Sequence, residues 1–218
     1  MQKFGEHIYF IPGNGYSSNS VLIKDRVIAL ADPGLPNNEP LLRELKKLDV
    51  EPKDVQFVID VEPHVDHCGG NYFFHKAKLI GSKETATAVE RADPDVTAAR
   101  AFGLKLHKCR FQKRVKDGDI LSFGETKLQV IKTPGHTSGN ISLYEKRLRL
   151  LICGDLIFAD SIGRTDLPTG DAEVMYQSIK RVSELDIDYV LPGHGPPGRK
   201  ESVAMALDLA QVVRPMTF

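Results

Sequence analysis

The sequence lacks several features that would place the protein in a membrane or outside the cell. It contains no run approaching the roughly 18 apolar residues that a membrane span needs, and residues 1–15 lack the long apolar segment of a secretory signal. Its three cysteines are an odd number without CxxC spacing, which argues against a disulfide framework. These absences predict a cytoplasmic protein with no membrane partner.

The sequence also has no excess of either charge, because 29 Lys and Arg residues balance 29 Asp and Glu residues. Without a basic field to attract phosphates, nucleic acid is not an expected partner. Residues 92–116 form the one basic stretch, and such a segment is more often a solvated loop or cap than a nucleic-acid-binding surface. The length of 218 residues suits a single domain over residues 1–218, and a homo-oligomer is left open.

Apolar residues alternate between strand-like and helix-like patterns, which predicts an α/β fold. Strands are predicted in the apolar segments 20–30 (a hairpin), 55–61, 126–133, 147–153 and 188–191. Helices are predicted from apolar residues at helical spacing and from capping residues. The predicted helices are 38–48 with Asn38 as the N-cap, the segment from the cap Ser82 to about Arg91, 172–185 and 200–213.

Four predicted strands run directly into polar turns in which His or Asp stands close to Gly or Pro. Side chains at the ends of rigid strands are held precisely, so they converge if the strand ends share one edge of a sheet. The turn after 55–61 contains four candidate polar residues, Glu62, His64, Asp66 and His67. The other three turns contain one each, namely His136, Asp155 and His194.

The turn sequence HVDH, residues 64–67, is the strongest indication of a metal site. A lone PGH or GHG is more often an ordinary turn. Three ligating side chains in four positions are different, because unpaired His and Asp crowded beside an apolar strand would be destabilising. Imidazole and carboxylate groups are ligands for zinc, iron and manganese. The four turns together therefore predict a metal centre.

With these motifs the sequence resembles the metallo-β-lactamase superfamily. The resemblance runs along most of the chain, through DPG, ExHxDHCGGN, DGD, TPGHTSG, CGD, GRTDLPTGD and LPGHG. It implies an α/β (α+β) fold, the four-layer αββα sandwich, with two divalent metal ions at one edge of the facing sheets. Zinc is the first expectation, with iron or manganese as alternatives. It also implies a hydrolase whose nucleophile is a hydroxide between the ions.

The resemblance also implies a role for each polar residue of the four turns. Asp155 bridges both ions, and Asp66 is the expected catalytic residue in addition to being a ligand. The implied ligands of the first ion are His64, His136 and residue 62. The implied ligands of the second ion are Asp66, His67 and His194.

Glu62 departs from the resemblance, because the family usually has His at this position. Ligation by Glu62 would reduce the net charge of two divalent ions, two Asp and one hydroxide from one positive charge to zero. Such a centre polarises substrate less and shifts preference towards iron or manganese, and Pro63 restricts how the turn adjusts. Ligation is favoured here; the alternative is that Glu62 turns away and leaves the first site weak or empty.

The segment SIGRTDLPTGD, residues 161–171, resembles short glyoxalase II-like hydrolases and, in part, persulfide dioxygenases. The resemblance implies a small-molecule thioester of the hydroxyacylglutathione type, or a related ester or lactone. Arg164 is predicted to bind a substrate carboxylate, with pairing to Asp166 or Asp171 as the alternative. Three other functions are left open: an iron-dependent persulfide dioxygenase-like enzyme, a phosphodiesterase or nuclease of the same superfamily, and a non-catalytic protein with a degraded metal site.

Overall fold

In the computed structural model, which describes residues 1–214, the strands form two sheets of seven and six strands. The seven-stranded sheet follows chain order: β1 (Gln2–Phe4), β2 (Ile8–Ile11), β3 (Ser20–Lys24), β4 (Ile28–Ala31), β5 (Phe57–Asp60), β6 (Lys78–Ser82) and β7 (Phe111–Val115). The six-stranded sheet runs from β13 back to β8: β8 (Ile120–Ser122), β9 (Lys127–Lys132), β10 (Ile141–Glu145), β11 (Leu150–Gly154), β12 (Tyr189–Pro192) and β13 (Gly198–Arg199).

Strand direction changes once in the first sheet and is mostly antiparallel in the second. Strands β1 to β4 are antiparallel, whereas β4 to β7 are parallel. In the second sheet only β11 and β12 are parallel. The parallel strands β5 and β12 are almost fully buried, as expected of strands covered on both faces.

Five α-helices and two short 3-10 segments complete the described part of the chain. Asn38 and Ser82 cap two of the helices, because their side chains accept hydrogen bonds from the third residue along. The helices are α1 (Glu39–Lys47), α2 (Val65–Cys68), α3 (Lys83–Arg91), α4 (Ala172–Ser183) and α5 (Lys200–Val213), and the 3-10 segments are Pro52–Asp54 and Gly69–Phe74.

Three apolar clusters define the order of the layers. The central cluster joins inward-facing residues of both sheets, such as Ile59 and Leu143. A second cluster packs Leu45 of α1 and residues of α3 against the outer face of the first sheet. The third packs α4 and α5, through Ile179 and Ala206, on the outer face of the second sheet. The predicted αββα sandwich is therefore confirmed.

The predicted elements are present, with boundaries that shift by up to three residues. The predicted strand 147–153 begins at Leu150, because Arg149 adopts a positive φ of 51° and belongs to the turn after β10. Within residues 1–214, no helix is both long enough and apolar enough to span a bilayer.

Candidate metal centre

The four polar turns meet where strands of the two sheets end. Strand β5 ends at Asp60 and leads into the turn before α2, while β9, β11 and β12 end shortly before the other three turns. The structure thereby brings together all seven residues that the sequence indicates as ligands, in overlapping groups: Glu62, His64, Asp66, His67, His136, Asp155 and His194.

One group, which we call the first triad, consists of Glu62, His64 and His136. The Oε2 atom of Glu62 lies 3.4 Å from Nδ1 of His64 and 3.4 Å from Nε2 of His136. The two imidazole nitrogens are 3.0 Å apart. All three residues are buried, so Glu62 faces the histidines and does not turn away.

The other group, which we call the second triad, consists of Asp66, His67 and His194. The Oδ2 atom of Asp66 lies 3.1 Å from Nε2 of His194 and 3.8 Å from Nε2 of His67. The side chain of His194 is 32% exposed, whereas that of His67 is fully buried. The second triad therefore opens to solvent on the side of His194.

Asp155 lies between the two triads. Its Oδ2 atom is 3.6 Å from Nε2 of His136 in the first triad and 3.7 Å from Nε2 of His194 in the second. Its Oδ1 atom is 3.5 Å from Nε2 of His67. One carboxylate thus contacts both triads, which is the position that a bridging ligand requires.

Outer hydrogen bonds fix the orientation of two imidazoles. Nδ1 of His67 lies 2.9 Å from Oδ2 of Asp32, and Nδ1 of His136 lies 2.7 Å from the carbonyl oxygen of Arg164. When each Nδ1–H donates to its oxygen, the Nε2 lone pair points into the site and is free for a cation. Sequence reasoning missed Asp32, although its DPG motif directly follows β4, the neighbour of β5.

Two loop residues position the turn that carries His194, and sequence reasoning missed one of them, Asn19. The side chain of Asn19 donates to the carbonyl oxygens of Pro192 and Gly195 at 3.0 and 2.9 Å, which holds the turn that carries His194. Gly193 lets that turn pack closely, because a Cβ atom there would lie 2.2 Å from Oδ1 of Asp155. The only sequence signal was the Gly and Asn content of these loops.

Burial and crowding perturb the protonation of the cluster. Burial raises the pKa of Glu62 to about 7, and burial together with His136 lowers the pKa of His64 to about 3. At His67, the surrounding carboxylates outweigh burial and raise the pKa well above its usual value. At Asp155, burial is outweighed chiefly by His67, and the pKa is lowered. Protons and metal cations therefore compete for the same lone pairs of these groups.

The residues fit two divalent cations. Three buried atoms that face inward have no hydrogen-bond partner within residues 1–214, namely Glu62 Oε2, His67 Nε2 and Asp155 Oδ1. Buried polar atoms rarely stay unpaired, and an ion is one common reason when they do. Four imidazole and three carboxylate groups form a donor set typical of zinc, iron or manganese. Each triad with Asp155 offers enough ligands for one cation.

Arg164 contacts the cluster through its carbonyl oxygen, which lies against His136, whereas its side chain is exposed. The side chain is 62% exposed, and its guanidinium forms two hydrogen bonds with Asp166, at 2.7 and 2.6 Å. This pairing is the alternative that the sequence left open. Binding of a substrate carboxylate by Arg164 stays a prediction, and it would require the Asp166 pair to open.

The chain has clear relatives among known proteins. A profile of the Metallo-beta-lactamase superfamily matches residues 13–194. The probable metallo-hydrolase MJ0888 of Methanocaldococcus jannaschii is 36% identical over 206 residues, covering 89% of this chain and 95% of that protein. The hydroxyacylglutathione hydrolase GloC of Haemophilus influenzae is 29% identical over 87% of this chain and 91% of its own. The crystal structure of TTHA1623 in a di-iron-bound form has 27% identity and a TM-score of 0.76, covering 90% and 96% of the two chains.

Proposed function

Since the chain belongs to the metallo-β-lactamase superfamily, we propose that it is a metal-dependent hydrolase whose substrate is a thioester of a small thiol. The observation that carries the proposal is the convergence of two His-containing triads on one shared carboxylate, Asp155. The thioester class is supported by the similarity to GloC, which is named a hydroxyacylglutathione hydrolase.

Each triad would hold one divalent ion, and Asp155 would contact both. When bound, such a pair of ions supplies an activated water and polarises the carbonyl of the substrate. The imidazoles are held ready for this task, because Asp32 and the Arg164 carbonyl keep Nε2 of His67 and of His136 directed inward. The protein therefore contributes ligands in fixed orientations more than a nucleophile of its own.

Asp66 is the residue to which we assign proton transfer. It lies beside His194, the most exposed of the histidines in the cluster, so its carboxylate is near the side from which substrate enters. A carboxylate in this place can accept a proton from the attacking water as the water oxygen bonds to the carbonyl carbon, and can return that proton to the departing thiolate sulfur.

The cysteines give no support to a thiol nucleophile. Cys68 and Cys153 are fully buried, and burial raises the pKa of the Cys153 thiol to about 12. Burial raises the pKa of Cys68 well above its usual value. Because the thiolate is the reactive form, both residues are inert at neutral pH, which favours a mechanism that depends on metal ions.

An exposed aromatic pair joins the loop before β3 to the segment between α3 and β7. The rings of Tyr16 and Phe102 meet edge to face with their centroids 6.3 Å apart. Tyr16 is two residues before Ser18, whose N–H donates to the carbonyl of Asp66. We assign this pair to apolar contacts with the acyl or thiol part of the substrate, since solvent-exposed aromatics favour such partners.

The basic stretch supports nucleic acid less well than a small molecule. Arg100 pairs with Asp95, and Arg114 pairs with Glu90, so part of its charge is neutralised locally. A nuclease would need these cations free for phosphates.

The test is a substrate panel measured with protein loaded separately with zinc, manganese or iron. The panel contains hydroxyacyl thioesters of glutathione and coenzyme A, a lactone, a phosphodiester, RNA and a persulfide. We expect thioester hydrolysis to exceed the other rates, and His67→Ala to lose most of the bound metal and the activity. His75→Ala, a substitution of an exposed histidine, is the matched control. Oxygen uptake with the persulfide, or phosphodiester cleavage faster than thioester cleavage, would contradict the proposal.

A further inference from the structure

Glu62 is placed differently from a ligand that serves one ion. Its Oε2 atom faces the first triad, at 3.4 Å from nitrogen atoms of both His64 and His136. Its Oε1 atom faces the second triad, at 3.2 Å from Nε2 of His67. The side chain is fully buried, so neither oxygen is directed at water.

The orientation of this carboxylate is set by its surroundings. The backbone N–H of Asp155 donates to Oε1 at 3.2 Å, which holds that oxygen on the side of the second triad. Gly154 has a positive φ of 54°, and a Cβ atom there would lie 3.2 Å from Oε1. Glycine at this position therefore avoids a tight contact with the carboxylate as well as with Val61 and Asn140. The Oε2 atom is left without a hydrogen-bond partner among the described residues.

A carboxylate can do here what an imidazole cannot. An imidazole whose ring points into the site presents one nitrogen to it, whereas a carboxylate presents two oxygens that can bind different ions. Glu62 and Asp155 each contact both triads, so two carboxylates connect them. With Asp66, three carboxylates reduce the charge of two divalent ions from four to one.

We propose that Glu62 is a second bridging ligand, so that the two ions load as a coupled pair. Compared with histidine at this position, Glu62 shifts the preference of the site from zinc towards manganese or iron, which prefer oxygen ligands. This inference rests on the two-metal site of the proposed function. An ion in either triad would hold Glu62 and Asp155 in place for the other ion, which is the physical origin of the coupling. More carboxylate oxygen in the ligand set favours the harder ions.

The first test uses the full-length wild-type protein, stripped of metal by a chelator and titrated with Mn²⁺ alone. We expect calorimetry to show two ions bound in one steep step. At half loading, electron paramagnetic resonance should already show the spectrum of exchange-coupled Mn²⁺ pairs. Two separate binding steps with uncoupled single-ion spectra would overturn the inference while leaving a two-metal hydrolase intact. No Mn²⁺, Fe²⁺ or Zn²⁺ binding would overturn the proposed function as well.

The second test compares Glu62→Gln and Glu62→His with Glu145→Gln, which alters another buried glutamate, one whose carboxylate contacts Arg147 and Leu148. Glutamine keeps the shape of Glu62 but has one oxygen. We expect both Glu62 variants to bind Mn²⁺ in two steps, with the second weaker by about tenfold or more. The ratio of zinc to manganese affinity should rise in Glu62→His. Retention of the single coupled step, with an unchanged ratio, would overturn the inference. Circular dichroism checks that each variant is folded, and the wild-type spectra decide the question if one is not.

Discussion

Replacement of Asp32 by Asn should weaken metal binding at the second triad although Asp32 contacts no ion. The Oδ2 atom of Asp32 accepts a hydrogen bond from Nδ1 of His67, and its Oδ1 atom accepts one from the backbone N–H of Val61, both at 2.9 Å. Both partners are donors. The amide of Asn offers one acceptor and one donor, so in either orientation one N–H would face another N–H in a buried site.

The expected size of the effect follows from what is lost. A hydrogen bond to a charged group contributes about 1.5–3 kcal/mol, and loss of an outer partner of a ligating histidine typically costs about 10- to 100-fold in metal affinity. These ranges agree, because each tenfold change equals about 1.4 kcal/mol. We therefore expect affinity at the second triad to fall about 10- to 100-fold. The side chain of Asp32 has no hydrogen bond to the first triad, so affinity there changes only through its coupling to the second triad.

The assay is metal titration of Asp32→Asn with the bound ions counted by mass spectrometry. Asp60→Asn is the matched control, because Asp60 is also buried at the end of a strand but contacts Asn71. If Asp32→Asn keeps wild-type affinity at both triads, Asp32 does not orient His67 and the account of the outer hydrogen bonds is wrong.

Further substitutions test other parts of the structure. Gly193→Ala should disrupt the second triad, because its Cβ atom would lie 2.2 Å from Asp155 Oδ1 and 2.6 Å from His67 Cε1; metal content measures this. Asp171→Ala removes the N-cap of α4 and should lower the free energy of unfolding by about 1 kcal/mol in urea titrations. Burial opposes ionisation of Asp25, yet backbone hydrogen bonds lower its pKa from 3.8 to about 2. Its contribution is therefore complete above pH 3.8 and is lost as pH falls towards 2. Because Asp25 is only partly buried, this contribution is less than about 1 kcal/mol at neutral pH, and the stability gap between wild type and Asp25→Asn should shrink over that range.

Sequence patterns predicted the elements whose physics is local. Helix α3 is an example: Ser82 supplies an N-cap hydrogen bond to Thr85, and the buried residues recur at helical spacing. Seven strands were not predicted, namely β1, β2, β6, β7, β8, β10 and β13. The shortest of them, such as Gly198–Arg199 at the edge of its sheet, cannot show a period of two. Such strands exist only because a longer neighbour supplies hydrogen-bond partners.

The positions of the candidate ligand residues were predictable for a similar reason, since each follows a strand that the sequence identifies. What Glu62 does was not predictable. The sequence shows a carboxylate in place of an imidazole, but whether its two oxygens face one triad or both depends on the rotamer and on Gly154. The contact of Asp32 with His67 likewise joins residues 35 positions apart, and only the pairing of β4 with β5 brings them together.

The placement of the triads across the two sheets leads to a prediction about metal removal. In the first triad Glu62 and His64 follow β5 of one sheet, whereas His136 follows β9 of the other. The second triad is divided in the same way, with His194 following β12. An ion held by either triad therefore connects the sheets. Ions that bind only the folded protein stabilise it by RT ln(1 + [L]/Kd), about 4.1 kcal/mol per site at a thousandfold excess over Kd.

We therefore expect chelation to lower the melting temperature by several degrees, and readdition of Mn²⁺ or Zn²⁺ to restore it in proportion to the logarithm of ion concentration. His194→Ala should lose at least half of this stabilisation, because His194 is the member of the second triad that follows a strand of the second sheet. A melting temperature that does not respond to chelation, in protein shown to bind two ions, would mean that the triads do not connect the sheets energetically.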